Sequence, residues 1–176
     1  SQTFIVNSSN NVQIYRLLRR ADYNNNVPGN GEAAGYHPMT GSPYGIRLQS
    51  FLNPLGMPCW NPPYGTLSSY DLKTGKLNWR KPFGQVQKWG FYMPESWGSP
   101  NAGVPAITAS GLVFIGASMD SRVRAIDVKT GEVLWKHTSA YGVYSSPAVA
   151  EQTVYVGFNY YALAAFRPAI RGVQRS

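Results

Sequence analysis

Apolar residues along this chain come in short runs, each bounded by Gly, Pro, Asn or Asp. Such runs cover Thr3 to Val6, Gly111 to Ala117, Val123 to Val128, Glu132 to Trp135, Thr153 to Phe158 and Tyr161 to Phe166. Four to seven residues rich in Val, Ile, Tyr and Phe have the length and composition of strands, and helical periodicity is almost absent. The pattern predicts an all-β fold. One segment, Val12 to Asp22 (VQIYRLLRRAD), fits either a short helix or a strand, and its periodicity leaves both open. Residues 24–63 lose the alternation and read as long loops, of the kind that serve as functional surface or as packing between larger parts in compact folds. Within them, Gly29 to Gly35 (GNGEAAG) invites a dinucleotide-binding reading. The glycine spacing is wrong, and neither a preceding strand nor a following helix is predicted, so that reading is set aside.

One phrase occurs twice. YDLKTGKLNWRK spans Tyr70 to Lys81 and IDVKTGEVLWKH spans Ile126 to His137, with Asp, Thr, Gly and Trp at the same spacing. Asp71 and Asp127 each end a strand. Lys-Thr-Gly then makes a tight turn, with Gly75 and Gly131 at the position that needs positive φ, and the next strand carries Trp79 or Trp135. Around the second copy, Pro105 to Lys136 reads as four strands of one antiparallel sheet. A third copy begins at Ser146 and stops before any turn or Trp. Units of about 40 residues with four short strands and a fixed Trp are the signature of β-propeller blades. The organisation expected is therefore a hairpin at 64–81, an insertion at 82–103, a blade at 104–138 and an incomplete last blade at 146–168, all within one partial propeller. The insertion carries Trp89, Phe91, Tyr92 and Trp97, which either cover the rim or face a ligand.

Composition adds constraints. Charged residues are 14% of the 176, about half of the ~25% of typical domains. The net charge is +8. Nucleic acid is not the expected partner, because Lys and Arg are scattered and cluster only at Tyr15 to Arg20; an anionic membrane surface remains a candidate. Cys59 is the single cysteine, so no internal disulfide or thiol-rich metal site can form. His37 and His137 have no partner at metal-ligand spacing and read as surface residues. No charged-then-apolar leader or membrane-length apolar run is present, so the chain is expected to be mature or cut from something longer; GxSxG, HExxH and phosphate-loop patterns are absent from the sequence as well. Three or four units are too few to close a propeller and would leave raw sheet edges, which calls for further blades or a companion chain.

The DxxTGxxxW pattern resembles the tryptophan-docking motif of quinoprotein dehydrogenases, eight-bladed propellers that hold pyrroloquinoline quinone (PQQ). Met39 to Trp79, with its PLGMPC and PPYG, and Gly103 to Trp135 look like the C-terminal part of the membrane-bound glucose and quinate dehydrogenase branch, and Phe4 to Asp22 fits the preceding segment. The resemblance implies PQQ with calcium or magnesium on the propeller axis, an aspartate base, a polyol, sugar or cyclic hydroxy acid such as glucose, quinate or shikimate as substrate, and electrons passed to ubiquinone. It also implies the periplasmic side of the bacterial inner membrane. The family's base and its metal-binding asparagine would precede Ser1, so no catalytic or metal residue is assigned here. Asp120 in GASMDSRVRA is the one cofactor-binding candidate carried over, beside its plainer reading as a turn Asp; Asp71 and Asp127 read as structural. At its end the sequence departs from the family. Where relatives have a Gly-rich loop bearing a histidine, Phe158 runs almost directly into Tyr161 to Phe166. A reading from a different class also stands: a noncatalytic propeller scaffold that binds protein partners.

Overall fold

A computed structural model describes residues 2–22, 35–143, 145–158 and 162–167. The chain divides into two compact units, one formed by Ser1–Asn10 with Pro62–Ser176 and the other by Asn11–Asn61.

The first unit contains three antiparallel sheets stacked as blades. Blade 1 is ordered β1 (Thr3–Ser9), β5 (Gly65–Asp71), β6 (Leu77–Pro82). Blade 2 has four strands, with β9 (Ala106–Ile107), β10 (Leu112–Ile115), β11 (Arg122–Asp127) and β12 (Val133–Thr138) side by side in chain order. Blade 3 has three strands among the described residues, β13 (Ala148–Ala150), β14 (Thr153–Phe158) and β15 (Ala162–Phe166). The fold is all-β and propeller-like, as the run pattern predicts.

The core lies between blades. Ile5, Leu67 and Phe83 from blade 1 and the segment that leaves it pack against Val113, Ile115, Ala117, Ile126 and Val128 of blade 2. Val123 from the other face of blade 2 joins Val143, Val154 and Val156, with Phe114, Phe158 and Phe166 alongside. Both faces of blade 2 are therefore covered. That explains why its inner strands β10 and β11 read as largely apolar runs, while the outer strands β6 and β12 carry more polar residues.

Both docking hairpins form the turn expected of them. Asp71 Oδ1 accepts the N–H groups of Lys73 (2.7 Å) and Thr74 (2.9 Å). Asp127 Oδ1 does the same for Lys129 (2.9 Å) and Thr130 (2.8 Å). Gly75 and Gly131 both sit at φ +68° and donate to the carbonyl of their own Asp at 2.8 Å. Even the register slip recurs, between Ser69 and Tyr70 in one copy and between Ala125 and Ile126 in the other.

The second unit corrects the expectation of structureless loops at 24–63. Its sheet is ordered β2 (Gln13–Arg19), β4 (Tyr44–Ser50), β3 (Gly35–Pro38), so two strands lie in the segment read as loop. Gly and Pro masked them, because β3 ends on Pro38 and β4 opens after the Thr40-Gly41-Ser42-Pro43 turn. Arg20 secures that turn by donating to the carbonyls of Met39 (2.7 Å) and Ser42 (2.8 Å). The open case, Val12 to Asp22, resolves as a strand followed by one 3₁₀ turn at Arg20–Asp22. Seven residues of β2 pair with β4, from Gln13 with Ser50 to Arg19 with Tyr44. Most of Gly29 to Gly35 lies outside the described residues.

Candidate functional site

Blades 1 and 2 are joined at one end by a buried polar knot. Its centre is Asp120, in the turn between β10 and β11, with only 3% of its surface exposed. The charge is answered from every side. Asp120 Oδ1 accepts from Ser118 Oγ (2.6 Å), from the Arg122 N–H (3.2 Å) and from Arg124 Nη1 (3.2 Å). Oδ2 forms an ion pair with Arg124 Nη2 and accepts the N–H of Gln85 at 3.1 Å. Gln85 belongs to the segment leaving blade 1, so this last bond crosses from one blade to the next. Arg124 is itself buried, donates from Nη1 to Ser118 Oγ at 3.0 Å and lies over the Phe83 ring at 5.3 Å. In so dry a setting, deleting one member of the pair leaves the other charge uncompensated, at a cost of about 3–5 kcal/mol.

Arg122 forms the outer layer of the knot. Its Nη1 donates to Gln85 Oε1, and its guanidinium sits 4.4 Å from the centre of the Tyr92 ring. Tyr92 lies in a small hairpin of the insertion, β7 (Gln87–Lys88) with β8 (Phe91–Tyr92), and Gln85 Nε2 donates to the Met93 carbonyl at 3.0 Å. Of the four insertion aromatics singled out in the sequence, Trp97 packs edge-on against Tyr64 and Tyr92 supports Arg122, while Trp89 and Phe91 are exposed.

Alongside runs the docking contact. The ring of Trp79 lies over Gly131, so close that a Cβ there would come within 2.8 Å of Cδ2 and Cε3, and its Nε1 donates to the Val128 carbonyl at 3.0 Å. The Trp of one copy thus seats on the turn of the next. Among the described residues Trp135 meets no such turn. It stacks on His137 in its own strand, at 6.1 Å, and meets Phe166 of blade 3 edge-on at 5.2 Å.

Asp120, the cofactor-binding candidate of the sequence, has protein donors on both of its oxygens. Among the described residues no three His, Cys, Asp or Glu side chains gather closely enough to hold a metal ion. His37 lies in β3 opposite Ile46, and His137 is held between Trp135 and Phe166. Sequence reasoning missed Gln85, Arg122 and Arg124. A signal for Arg124 existed, because it occupies an inward position of the otherwise apolar Val123 to Ile126 and a charge there needs a partner. Gln85 gave none.

A family model described as the β-propeller domain of glucose, ethanol and alcohol dehydrogenases that use PQQ matches residues 1–155. The chain belongs to this quinoprotein family. A probable quinate dehydrogenase (quinone) from Xanthomonas campestris pv. juglandis is 41% identical over 128 residues, covering 68% of this chain and 16% of that relative. The glycerol dehydrogenase large subunit of Gluconobacter thailandicus is 38% identical over 155 residues, covering 84% of this chain and 20% of its own length. The quinoprotein chain therefore spans a fifth or less of these relatives. Among solved structures, a europium-containing methanol dehydrogenase superposes with a TM-score of 0.46 at 22% identity, covering 88% of this chain and 22% of that one.

Proposed function

We propose that this chain is the C-terminal part of a PQQ-dependent dehydrogenase that oxidises a polyol, sugar or cyclic hydroxy acid. The observation that carries the reading is the family match over residues 1–155, and the seating of Trp79 on Gly131 supplies its structural counterpart. The bound quinone would take the hydride of the alcohol and hand its electrons to ubiquinone, with calcium or magnesium beside it. The catalytic base and the metal-binding asparagine are assigned to the rest of the protein, where the family resemblance puts them. No helix of the described residues is long and apolar enough to cross a membrane. A periplasmic location at the inner membrane, with the +8 charge resting on anionic lipid, belongs to the same proposal.

What this chain contributes is alignment. Asp120 pins the Gln85 backbone to the β10–β11 turn, so it acts as a positioning residue between blades 1 and 2. The experiment is dye-linked oxidation by the full-length protein, loaded with PQQ and calcium or magnesium, across glycerol, glucose and quinate. Turnover of at least one substrate is expected, and the separated chain should show none. Silence on every alcohol, with the quinone demonstrably bound, would overturn the enzyme reading in favour of a scaffold. Asp120→Asn should weaken quinone retention together with thermal stability, while a loss of quinone alone would contradict the positioning role.

A further inference from the structure

Beside the Asp120 knot, blades 1 and 2 leave a cleft of about 860 Å³. Its walls include Trp79 and Lys81 of β6, Leu134 and Lys136 of β12, and Arg122 at the end near the knot. Cations outnumber anions on these walls once the Arg124–Asp120 pair is set aside. Arg122, Lys81 and Lys136 face only Glu95 and Glu132, and none of the three forms an ion pair among the described residues. Lys136 lies opposite Arg124 in the β11–β12 register, so it shares the sheet face that carries Arg122.

Arg122 is held half-ready. Nη1 is tied to Gln85 Oε1 and the plane rests on Tyr92, which fixes the guanidinium. The other edge, Nε with Nη2, has no acceptor among the described residues, and Nε is buried. A buried donor without an acceptor costs about 1–3 kcal/mol. That edge is also the planar fork that matches the two oxygens of a carboxylate or phosphate.

We propose that this cleft binds a small oxyanion, a carboxylate or a phosphate, on the Nε–Nη2 edge of Arg122, with Lys81 and Lys136 supplying flanking charge. The test of this site reads binding alone. Succinate and inorganic phosphate are each titrated calorimetrically into the full-length protein in the absence of any alcohol. Saturable binding of one anion per chain is expected, and the tighter of the two identifies the source of the oxyanion. Arg122→Gln should weaken it about tenfold or more, the scale of a charge-assisted bidentate contact. Arg122→Lys should restore phosphate better than succinate, because an ammonium is a point charge without the fork. Lys136→Gln, on an exposed strand, should weaken both anions about threefold without disturbing the fold. No saturable heat with either anion up to about 20 mM, or equal affinity in Arg122→Gln and the parent, overturns the site.

Discussion

The two docking hairpins share their turn, their φ angles and their register slip, yet their tryptophans end differently. Trp79 covers Gly131 and hydrogen-bonds Val128 in the next blade. Trp135 is 39% exposed and leans on His137 and Phe166, because among the described residues blade 3 offers no Thr-Gly turn to receive it. Identical hairpins are therefore not equal in energy. A docking motif has two halves, a donor Trp and an acceptor Gly in the following blade, and only the first half is written in the hairpin itself.

The widest separation is expected on removing the rings. Trp79→Ala should cost about 3 kcal/mol or more, the scale of losing a packed aromatic. Trp135→Ala should cost about 1 kcal/mol, in keeping with its exposure. Urea melts of the full-length protein compare the two, and equal losses would erase the distinction. A sharper contrast comes from the glycines. Gly75 and Gly131 share φ +68°, but a Cβ at Gly75 meets nothing within 4 Å, whereas one at Gly131 collides with Trp79. Gly75→Ala should cost only the left-handed backbone, about 1 kcal/mol. Gly131→Ala should cost about 1–3 kcal/mol beyond that, the scale of overpacking, and should also shift Trp79 fluorescence. If the two alanines behave alike, the Trp79 seat is looser than its geometry.

The smallest effect is electrostatic, and it should be shared by both hairpins. The Thr74 N–H, with that of Lys73, holds the Asp71 carboxyl below its ordinary range, and the Thr130 N–H is the leading cause for Asp127. A depressed folded value stabilises above the unfolded pKa of about 3.9 and is lost as pH falls through the folded value. Acid melts should therefore show a slight extra loss below about pH 4 that Asp71→Asn and Asp127→Asn each reduce. A change confined to one of the two would show that these exposed turns do not titrate alike.

How much was legible follows from distance along the chain. The hairpins were readable because Asp, Thr and Gly encode their turn within five consecutive residues, and the blade identity followed from the repeat. The strand β2 was ambiguous because Ile14, Tyr15, Leu17 and Leu18 suit a helix face and a pleat equally; its pairing with β4 decides it. The Asp120 knot was half legible. Asp120 and Arg124 are neighbours in sequence, but Gln85 arrives from an insertion whose aromatic content left rim cover and ligand contact both open. Hydrogen-bond partners that distant leave no trace in local pattern.

The route by which blade 1 closes has a kinetic consequence. β1 and β5 are ladder neighbours from Thr3 with Asp71 to Ser9 with Gly65, and residues 10–64 make the excursion between them. Closing that loop has an entropic cost that grows only by about 0.6 kcal/mol per doubling of length, so the excursion can carry a folded unit of its own at little thermodynamic penalty. Its rate is another matter, since a non-local pairing waits on the search for its ends. A single protease cut within residues 11–61 would turn that pairing from intramolecular to intermolecular. β1 would then stay by its hydrogen bonds, by Ile5 and, for a cut between β2 and β4, by the ladder those two strands form, and dilution would become a denaturant of blade 1.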